Sequence, residues 1–135
     1  MRTVFADTGY WVALLNPRDQ LHGKAKSVSA SLGQTRIVTS EMVLDELLAS
    51  LSAPPARATV ISAVNSIVSN PNVEVVPQTS LQFREAFDLY KTRTDNEWSL
   101  TDCASFNLMR ERAITEALAH DEHFEQTGFV ALLRS

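Results

Sequence analysis

The chain has 135 residues, of which 44% are hydrophobic and 21% charged, a composition typical of one folded globular domain and not of a disordered segment. Its single cysteine, Cys103, excludes an intramolecular disulfide and a cysteine-based zinc cage. Twelve basic and sixteen acidic residues leave a net charge of −4. This balance argues against a protein that coats DNA non-specifically, but not against an enzyme whose acids gather at one metal site.

The apolar residues also predict where the protein is found. No apolar run approaches the roughly 20 residues that a membrane-spanning helix needs. Asp7 comes too early for the apolar part of a secretory signal peptide. We therefore expect a cytoplasmic protein that does not associate with a membrane.

Short apolar segments alternate with amphipathic ones along the whole chain. The first half is predicted to contain a strand over 3–6 that stops at Asp7, a helix over 8–15, a polar helix over 19–31, a strand over 36–38 and helices over 41–52 and 56–69. The second half is predicted to contain a strand over 73–76, a helix over 79–93, a loop over 94–98, a helix over 99–111, a strand over 114–119, a turn or short helix over 122–127 and a strand near 129–130.

This alternation predicts an α/β fold with a short, mainly parallel central sheet flanked by helices. We expect one domain over residues 1–135, because no linker, internal repeat or change of composition divides the chain. The two prolines at 54–55 would leave a first unit of only about 50 residues, at the small end for a domain. They are therefore interpreted as a turn between helices.

Two acids directly follow short apolar strands. Asp7 ends the first strand, and Asp121 comes after the strand predicted at 114–119. Ligands of open α/β sheets bind outside the carboxyl ends of the strands, so two acids placed there favour one shared site. The alternative for each acid is a structural role as the cap of the helix or turn that follows it.

Asp102 is surrounded by apolar residues on the helix over 99–111. A helical wheel places it between Phe106 and Met109, whereas Thr101 and Ser105 form a polar stripe on another side. A carboxylate among apolar neighbours is costly unless it is paired, hydrogen-bonded or bound to a metal. The alternative is a structural acid in the first turn, which the helix dipole favours.

Asp45 and Glu46 flank the apolar stripe of the helix over 41–52 on opposite edges. Periodicity does not decide which of the two belongs to a site, and a solvated helix flank is the alternative for both. The three histidines show no zinc-ligand spacing of the His-Glu-x-x-His kind, and no glycine-rich phosphate loop is present. Cys103 is interpreted as a core residue, since no base is placed to activate it.

Four segments, each containing one of these acids, resemble the motifs of the PIN-domain ribonucleases, in particular the VapC-type toxins of toxin–antitoxin pairs. The segments are VFADTG at 4–9, TSEMVLDEL at 39–47, DNEWSLTDCASF at 95–106 and AHDEHF at 119–124. Each is a weak match alone, but the four occur in the right order and span essentially the whole chain. The resemblance selects Glu46 as the second acid and implies a PIN-like α/β/α sandwich.

The resemblance implies an endoribonuclease that hydrolyses RNA phosphodiester bonds with Mg²⁺, or alternatively Mn²⁺. The implied catalytic residues are Asp7, Glu46, Asp102 and Asp121, of which Asp7, Asp102 and Asp121 would be metal ligands. These hard cations prefer carboxylate and water oxygens, which suits a site built from acids.

Further residues and partners follow from the same resemblance. Thr8 and Thr101 would support the acids, and Asp95 is a reserve candidate able to contact metal-bound water. The substrate would be RNA, a small antitoxin protein would hold the enzyme inactive, and the chain would form a homodimer.

Two other functions stay open at this point. A PIN-fold module without catalysis would bind RNA or a protein, but the loss of a motif acid would favour it, and all four are present. A phosphatase with an aspartyl nucleophile would need a second aspartate two residues after the first, where Gly9 stands. The set of acids therefore favours the nuclease.

Overall fold

Five β-strands alternate with seven helices in the computed structural model, which describes residues 1–134. The strands are β1 (Thr3–Ala6), β2 (Arg36–Ser40), β3 (Val73–Val76), β4 (Glu116–Leu118) and β5 (Val130–Ala131). The helices are α1 (Thr8–Leu15), α2 (His22–Ser31), α3 (Glu41–Ser50), α4 (Ala56–Ser69), α5 (Ser80–Thr92), α6 (Leu100–Glu111) and α7 (Glu122–Gln126). The order of elements is the one that the sequence predicts.

The strands form a single sheet in the order β3-β2-β1-β4-β5, and every neighbouring pair is parallel. β1 lies in the middle, where Phe5 is in register with Val38 of β2 and with Ala117 of β4. Helices flank this sheet, which confirms the predicted α/β sandwich. Strand order changes direction between β1 and β4, so the carboxyl ends of these two strands border the crevice where open sheets bind ligands.

The central strand is an uninterrupted apolar run. Val4, Phe5 and Ala6 of β1 have no exposed surface. A parallel strand covered by helices on both faces has no solvent-facing side. Its residues therefore do not alternate between apolar and polar but form a continuous apolar run. The first acid of the chain therefore follows a strand that the core holds rigidly.

An aromatic cluster packs α6 against α7. The ring centroid of Phe106 lies 5.1 Å from that of Trp98, 5.1 Å from that of Phe124 and 6.0 Å from that of Phe129. The first two pairs are edge-to-face, the arrangement that the ring quadrupole favours. Because α6 and α7 each carry one of the candidate acids, this packing sets the distance between them.

α3 ends at Ser50 and not at residue 52. Two other boundaries in the first half of the chain also differ from the prediction. α2 begins at His22 and not at residue 19, because Asp19 forms a turn in which its side chain accepts a hydrogen bond from the Leu21 N–H (2.8 Å). β2 continues to Ser40, because its pairing with β3 extends as far as Val76. Both differences arise from hydrogen bonds that periodicity does not reveal.

β4 is shorter than the strand predicted over 114–119. Ala113 has a positive φ of 56°, so the chain turns sharply after α6. The Ile114 N–H then donates to the Met109 carbonyl (2.9 Å), a bond back to the helix and not to the sheet. Strand pairing begins only at Glu116 and ends at Leu118.

The two prolines at 54–55 lie between α3 and α4, as predicted for a turn between helices. They do not interrupt the sheet, since both β2 and β3 pair normally on either side of them in the chain. Across residues 1–134, no helix combines the length and the apolar character that crossing a membrane requires.

Candidate metal centre

Asp7 and Asp121 both lie at the carboxyl edge of the sheet. Asp7 directly follows β1, and its backbone N–H donates to the Leu118 carbonyl at the end of β4 (3.1 Å). Asp121 is the N-cap residue of α7, shortly after β4 ends. Since β1 and β4 are neighbours in the sheet, the two acids reach the same crevice.

Asp7 is 8% exposed and occupies the N-cap position of α1, yet its side chain makes no capping hydrogen bond. Burial is the main cause of a pKa raised from the ordinary 3.8 to about 7, and the charge of Asp102 adds to it. The Thr8 backbone N–H lowers this pKa, whereas Glu46 and Asp121 raise it further. The charges of all three other acids thus act on Asp7 at this edge of the sheet.

Asp102 joins this group from the first turn of α6. Its Oδ2 accepts a hydrogen bond from the Ser99 N–H (3.0 Å), and Ser99 Oγ accepts one from the Asp102 N–H (3.0 Å). This reciprocal pair is a capping box. The same Oδ2 lies 3.0 Å from His123 Nδ1. The structural role and the place in the acidic cluster are therefore both present and do not exclude each other.

His123 links Asp102 to Asp121. Asp121 Oδ1 accepts a hydrogen bond from the His123 backbone N–H (3.0 Å) and lies 3.1 Å from His123 Nδ1. The imidazole nitrogen thus lies against carboxylates from two different elements. One ligand atom from each of these three residues lies within 4.8 Å of the other two.

Glu46 reaches the cluster from α3 and is held by Thr8. Thr8 Oγ1 donates a hydrogen bond to Glu46 Oε1 (2.7 Å). Asp45, the neighbouring acid in the sequence, is exposed. The structure thus places Glu46, and not Asp45, beside Asp7, and it places Thr8 in contact with one of the acids that it was predicted to support.

The sequence matches the family model described as PIN domain over residues 4–130. The chain belongs to the PIN-domain family. All four acids, from Asp7 to Asp121, fall inside the matched range. The parallel sheet and the acids at its carboxyl edge are thus found in a chain whose sequence places it in this family independently.

A relative from Mycobacterium tuberculosis is similar over nearly the whole length. The 23S rRNA-specific endonuclease VapC20 is 34% identical over 128 residues, which are 94% of this chain and 95% of the relative. The crystal structure of VapC20, described as a sarcin-ricin loop cleaving toxin, matches with a TM-score of 0.86 at 31% identity. That match covers 94% of this chain and 96% of the VapC20 chain.

Two other crystal structures share the PIN fold at lower identity. VapBC2 from Rickettsia felis, bound to a DNA fragment from its promoter, matches with a TM-score of 0.68 at 12% identity and covers 96% of each chain. FitAcB from Neisseria gonorrhoeae matches with a TM-score of 0.59 at 14% identity, covering 95% of this chain and 94% of the other. These two likenesses extend to the fold alone.

Thr101 and Asp95, which the PIN motifs predict as supporting residues, take no part in the hydrogen bonds that join the described residues of the cluster. Within residues 1–134, neither Thr101 nor Asp95 forms a hydrogen bond to any of the four carboxylates. Thr101 is 7% exposed, beside Asp102 in α6. Asp95 is exposed, and its Oδ1 lies 3.8 Å from Arg93 Nε. A supporting role for either residue stays a prediction.

The polar stripe of α6 is buried. Ser105 is 1% exposed, and its hydroxyl has no hydrogen-bond partner among the described residues. Thr101, on the same stripe, is buried as well. The reason is that α6 packs against both α3 and α5, so little of its circumference faces solvent.

His123 is the member of the cluster that the sequence pattern did not single out. The histidines lack a zinc-ligand spacing, so that pattern does not indicate a site. The signal that indicates a role for His123 is its position two residues after Asp121. An N-cap aspartate accepts a hydrogen bond from the second or third residue of its helix, which brings that residue close to the carboxylate. The contact with Asp102 depends on tertiary packing. His120, which precedes Asp121, is exposed.

The donor set of the cluster suits a divalent cation. Elsewhere the structure pairs acids with arginine, as at Glu74 and Glu116. At the cluster, three neighbouring acids destabilise the charge of Asp7 instead. A dication would compensate this repulsion, and carboxylate oxygens are the ligands that Mg²⁺ and Mn²⁺ favour. The residues present therefore fit a metal site.

Proposed function

We propose that this chain, a single PIN domain over residues 1–135, is a divalent-metal-dependent endoribonuclease and the toxin of a type II toxin–antitoxin pair. The observation that carries the proposal is the grouping of Asp7, Glu46, Asp102 and Asp121 at the carboxyl edge of β1 and β4. Supporting it, the relative VapC20 is an rRNA-specific endonuclease that is similar over 94% of this chain.

Asp7, Asp102 and Asp121 are the residues that we assign to the cation, with Mg²⁺ as the expected ion and Mn²⁺ as the alternative. When bound, the cation would supply Lewis acidity toward water and toward the scissile phosphate. Asp102 and Asp121 accept hydrogen bonds from the backbone N–H groups of Ser99 and His123. These bonds orient both carboxylates toward the crevice and would help to hold them in place around an ion.

Glu46 is the residue that we assign to the attacking water. Thr8 Oγ1 is bonded to Oε1 of this side chain, which leaves Oε2 to accept the proton of a water molecule. Thr8 is then a positioning residue for Glu46. Attack in line with the leaving oxygen would release a 5′-phosphate product, as the family resemblance implies. Thr101 and Asp95 stay predicted supporting residues.

RNA is the proposed substrate, and 23S rRNA is the first RNA to test because VapC20 is described as specific for it. A small antitoxin is the proposed protein partner, in line with the description of VapC20 as a toxin. We also propose that the chain forms a homodimer and acts in the cytoplasm. Co-purification with the product of a neighbouring reading frame would test the partner, and light scattering would test the dimer.

The decisive experiment incubates the purified protein with total cellular RNA and sequences the new 5′ ends. Wild type and Asp45→Asn, the matched control at an exposed acid, should cleave the same sites in Mg²⁺. Asp102→Asn should not cleave, and EDTA should abolish cleavage by all proteins. If wild type binds RNA without cleaving it in Mg²⁺ or Mn²⁺, the chain is a non-catalytic PIN module and the proposal is wrong.

A further inference from the structure

We propose that His123 is a direct ligand of the metal ion, so that the site contains a nitrogen donor and discriminates in favour of Mn²⁺ over Mg²⁺. The inference rests on the proposed function only in treating the acidic cluster as a metal site. It adds a ligand that the pattern of acids does not contain, and it changes the cation that the site is expected to prefer.

The distances around His123 match the spacing of ligands on one ion. In an octahedral complex with bonds of about 2.1 Å, neighbouring ligand atoms lie about 3.0 Å apart. His123 Nδ1 lies 3.0 Å from Asp102 Oδ2 and 3.1 Å from Asp121 Oδ1. His123 Nδ1 can therefore be the corner next to each carboxylate oxygen in one coordination polyhedron, and the ligand atoms of all three residues lie within 4.8 Å of one another.

The imidazole is placed by a packed helix and not by a loose loop. The His123 backbone N–H is bonded to Asp121 at the start of α7, and the next residue, Phe124, is fully buried against Phe106. The His123 side chain is itself only 18% exposed. A ligand held in this way loses little conformational entropy when it binds an ion.

The position of Nδ1 beside two carboxylate oxygens is compatible with ligation. With its hydrogen on Nδ1, the imidazole donates to these oxygens. Neutral imidazole also exists with its hydrogen on Nε2, and this tautomer presents the Nδ1 lone pair toward the same point. An ion at that point would replace the hydrogen between the nitrogen and the two oxygens.

A nitrogen ligand alters the choice of cation. Mg²⁺ selects oxygen ligands and retains its water, whereas imidazole is a good ligand for first-row transition metals. Mn²⁺ accepts both donor types in octahedral geometry. The acids alone would bind both ions, so the test is the change in the ratio of the two affinities when the imidazole is removed.

The experiment measures binding of Mn²⁺ and Mg²⁺ to the metal-free full-length protein by calorimetry, together with pulsed electron paramagnetic resonance of the Mn²⁺ form. The proteins are wild type, His123→Ala, His123→Asn and the control His120→Ala, whose histidine is exposed beside Asp121. Asparagine can still donate a hydrogen bond to the carboxylates but provides no imidazole nitrogen. Circular dichroism and thermal melts establish that each variant is folded.

We expect wild type and His120→Ala to show nitrogen coupling to Mn²⁺ and both His123 variants to lose it. The Kd for Mn²⁺ should rise by about tenfold or more in His123→Ala, since replacing even a residue that only supports a metal ligand costs 10–100-fold. The Kd for Mg²⁺ should rise by a smaller factor. The inference is overturned if wild type shows no nitrogen coupling. It is also overturned if His123→Ala weakens the binding of Mn²⁺ and Mg²⁺ by the same factor and His123→Asn restores both affinities.

RNA cleavage by the same proteins separates this inference from the proposed function. If Mn²⁺ binds wild type with nitrogen coupling and no RNA is cleaved, the ligand assignment stands and the nuclease proposal fails. If wild type cleaves RNA and shows Mn²⁺ binding without nitrogen coupling, the nuclease proposal stands and His123 is not a ligand.

Discussion

Replacing Asp7 with asparagine should stabilise the metal-free protein at neutral and higher pH while it abolishes RNA cleavage. Asp7 is buried at the edge of the sheet, and three other acids raise the free energy of its ionised form. Asparagine has nearly the same volume and can still accept the hydrogen bond of the Thr8 N–H. The substitution therefore removes the unfavourable charge and leaves the packing almost unchanged.

The size of the effect follows from the raised pKa of Asp7. Between 3.8 and about 7, the unfolded chain has lost the proton while the folded protein keeps it. The contribution of Asp7 to the free energy of unfolding of wild type therefore falls as the pH rises through this window and levels off above it. At about 1.36 kcal/mol for each unit of pKa, the loss at pH 8 is at most about 4 kcal/mol. Asparagine does not ionise, so the variant should be more stable than wild type by up to this amount.

Urea unfolding in EDTA at about pH 4 and about pH 8 measures this difference. The stability of Asp7→Asn relative to wild type should increase between the two pH values, whereas Asp45→Asn, at an exposed acid, should follow wild type. Mg²⁺ at 100 times its Kd should then stabilise wild type by about 2.7 kcal/mol and the variant by less. If Asp7→Asn follows wild type at both pH values, neither burial nor the neighbouring acids destabilise the Asp7 carboxylate, and the reasoning is wrong.

Three further substitutions test separate parts of the structure. Asp102→Asn should lose Mg²⁺-dependent cleavage while its thermal melt stays near that of wild type or rises, because the amide oxygen can still accept from the Ser99 N–H. Thr8→Val should slow cleavage without changing the Kd for metal measured by calorimetry, because it releases Glu46 and no metal ligand. Phe106→Ala should cost about 3–5 kcal/mol in urea unfolding, because its ring is the centre of the aromatic cluster.

A specific result would contradict each of these three predictions. An Asp102→Asn protein that melts earlier and cleaves RNA at the wild-type rate would leave Asp102 a purely structural acid. Weaker metal binding in Thr8→Val would mean that Glu46 holds the ion and does not merely orient water. A Phe106→Ala protein as stable as wild type would show that the rings do not fix α6 against α7.

The alternation of strands and helices could be predicted because it follows from local apolar patterns. β1 is a continuous apolar run, as a parallel strand covered on both faces must be, and Asp7 interrupts it where the strand ends. The boundaries were less predictable where a single side chain or backbone bond decides them. The Asp19 turn delays α2, and the positive φ of Ala113 delays β4.

The sequence predicts the acidic cluster only in part. The motifs selected Glu46, but a helical wheel leaves Asp45 and Glu46 on equal terms, and the contact with Thr8 that separates them joins residues far apart in the chain. The role of His123 is not predictable from the sequence for a similar reason. Its nitrogen lies between Asp102 and Asp121 only because α6 and α7 pack together, and no spacing within one segment encodes that contact.

Three of the four acids lie where a helix begins, and this accounts for how a group of like charges is held together. Asp7 and Asp121 occupy N-cap positions, and Asp102 lies in the first turn of α6. Backbone N–H groups at helix starts lack partners within the helix, so the carboxylates of Asp102 and Asp121 accept hydrogen bonds there that offset part of their repulsion, whereas the Asp7 side chain makes no capping bond. Glu46 lies in the middle of α3, where no such N–H is available, and the Thr8 hydroxyl takes that role. We therefore expect a chelator to remove metal without releasing Asp102 and Asp121 from their backbone partners.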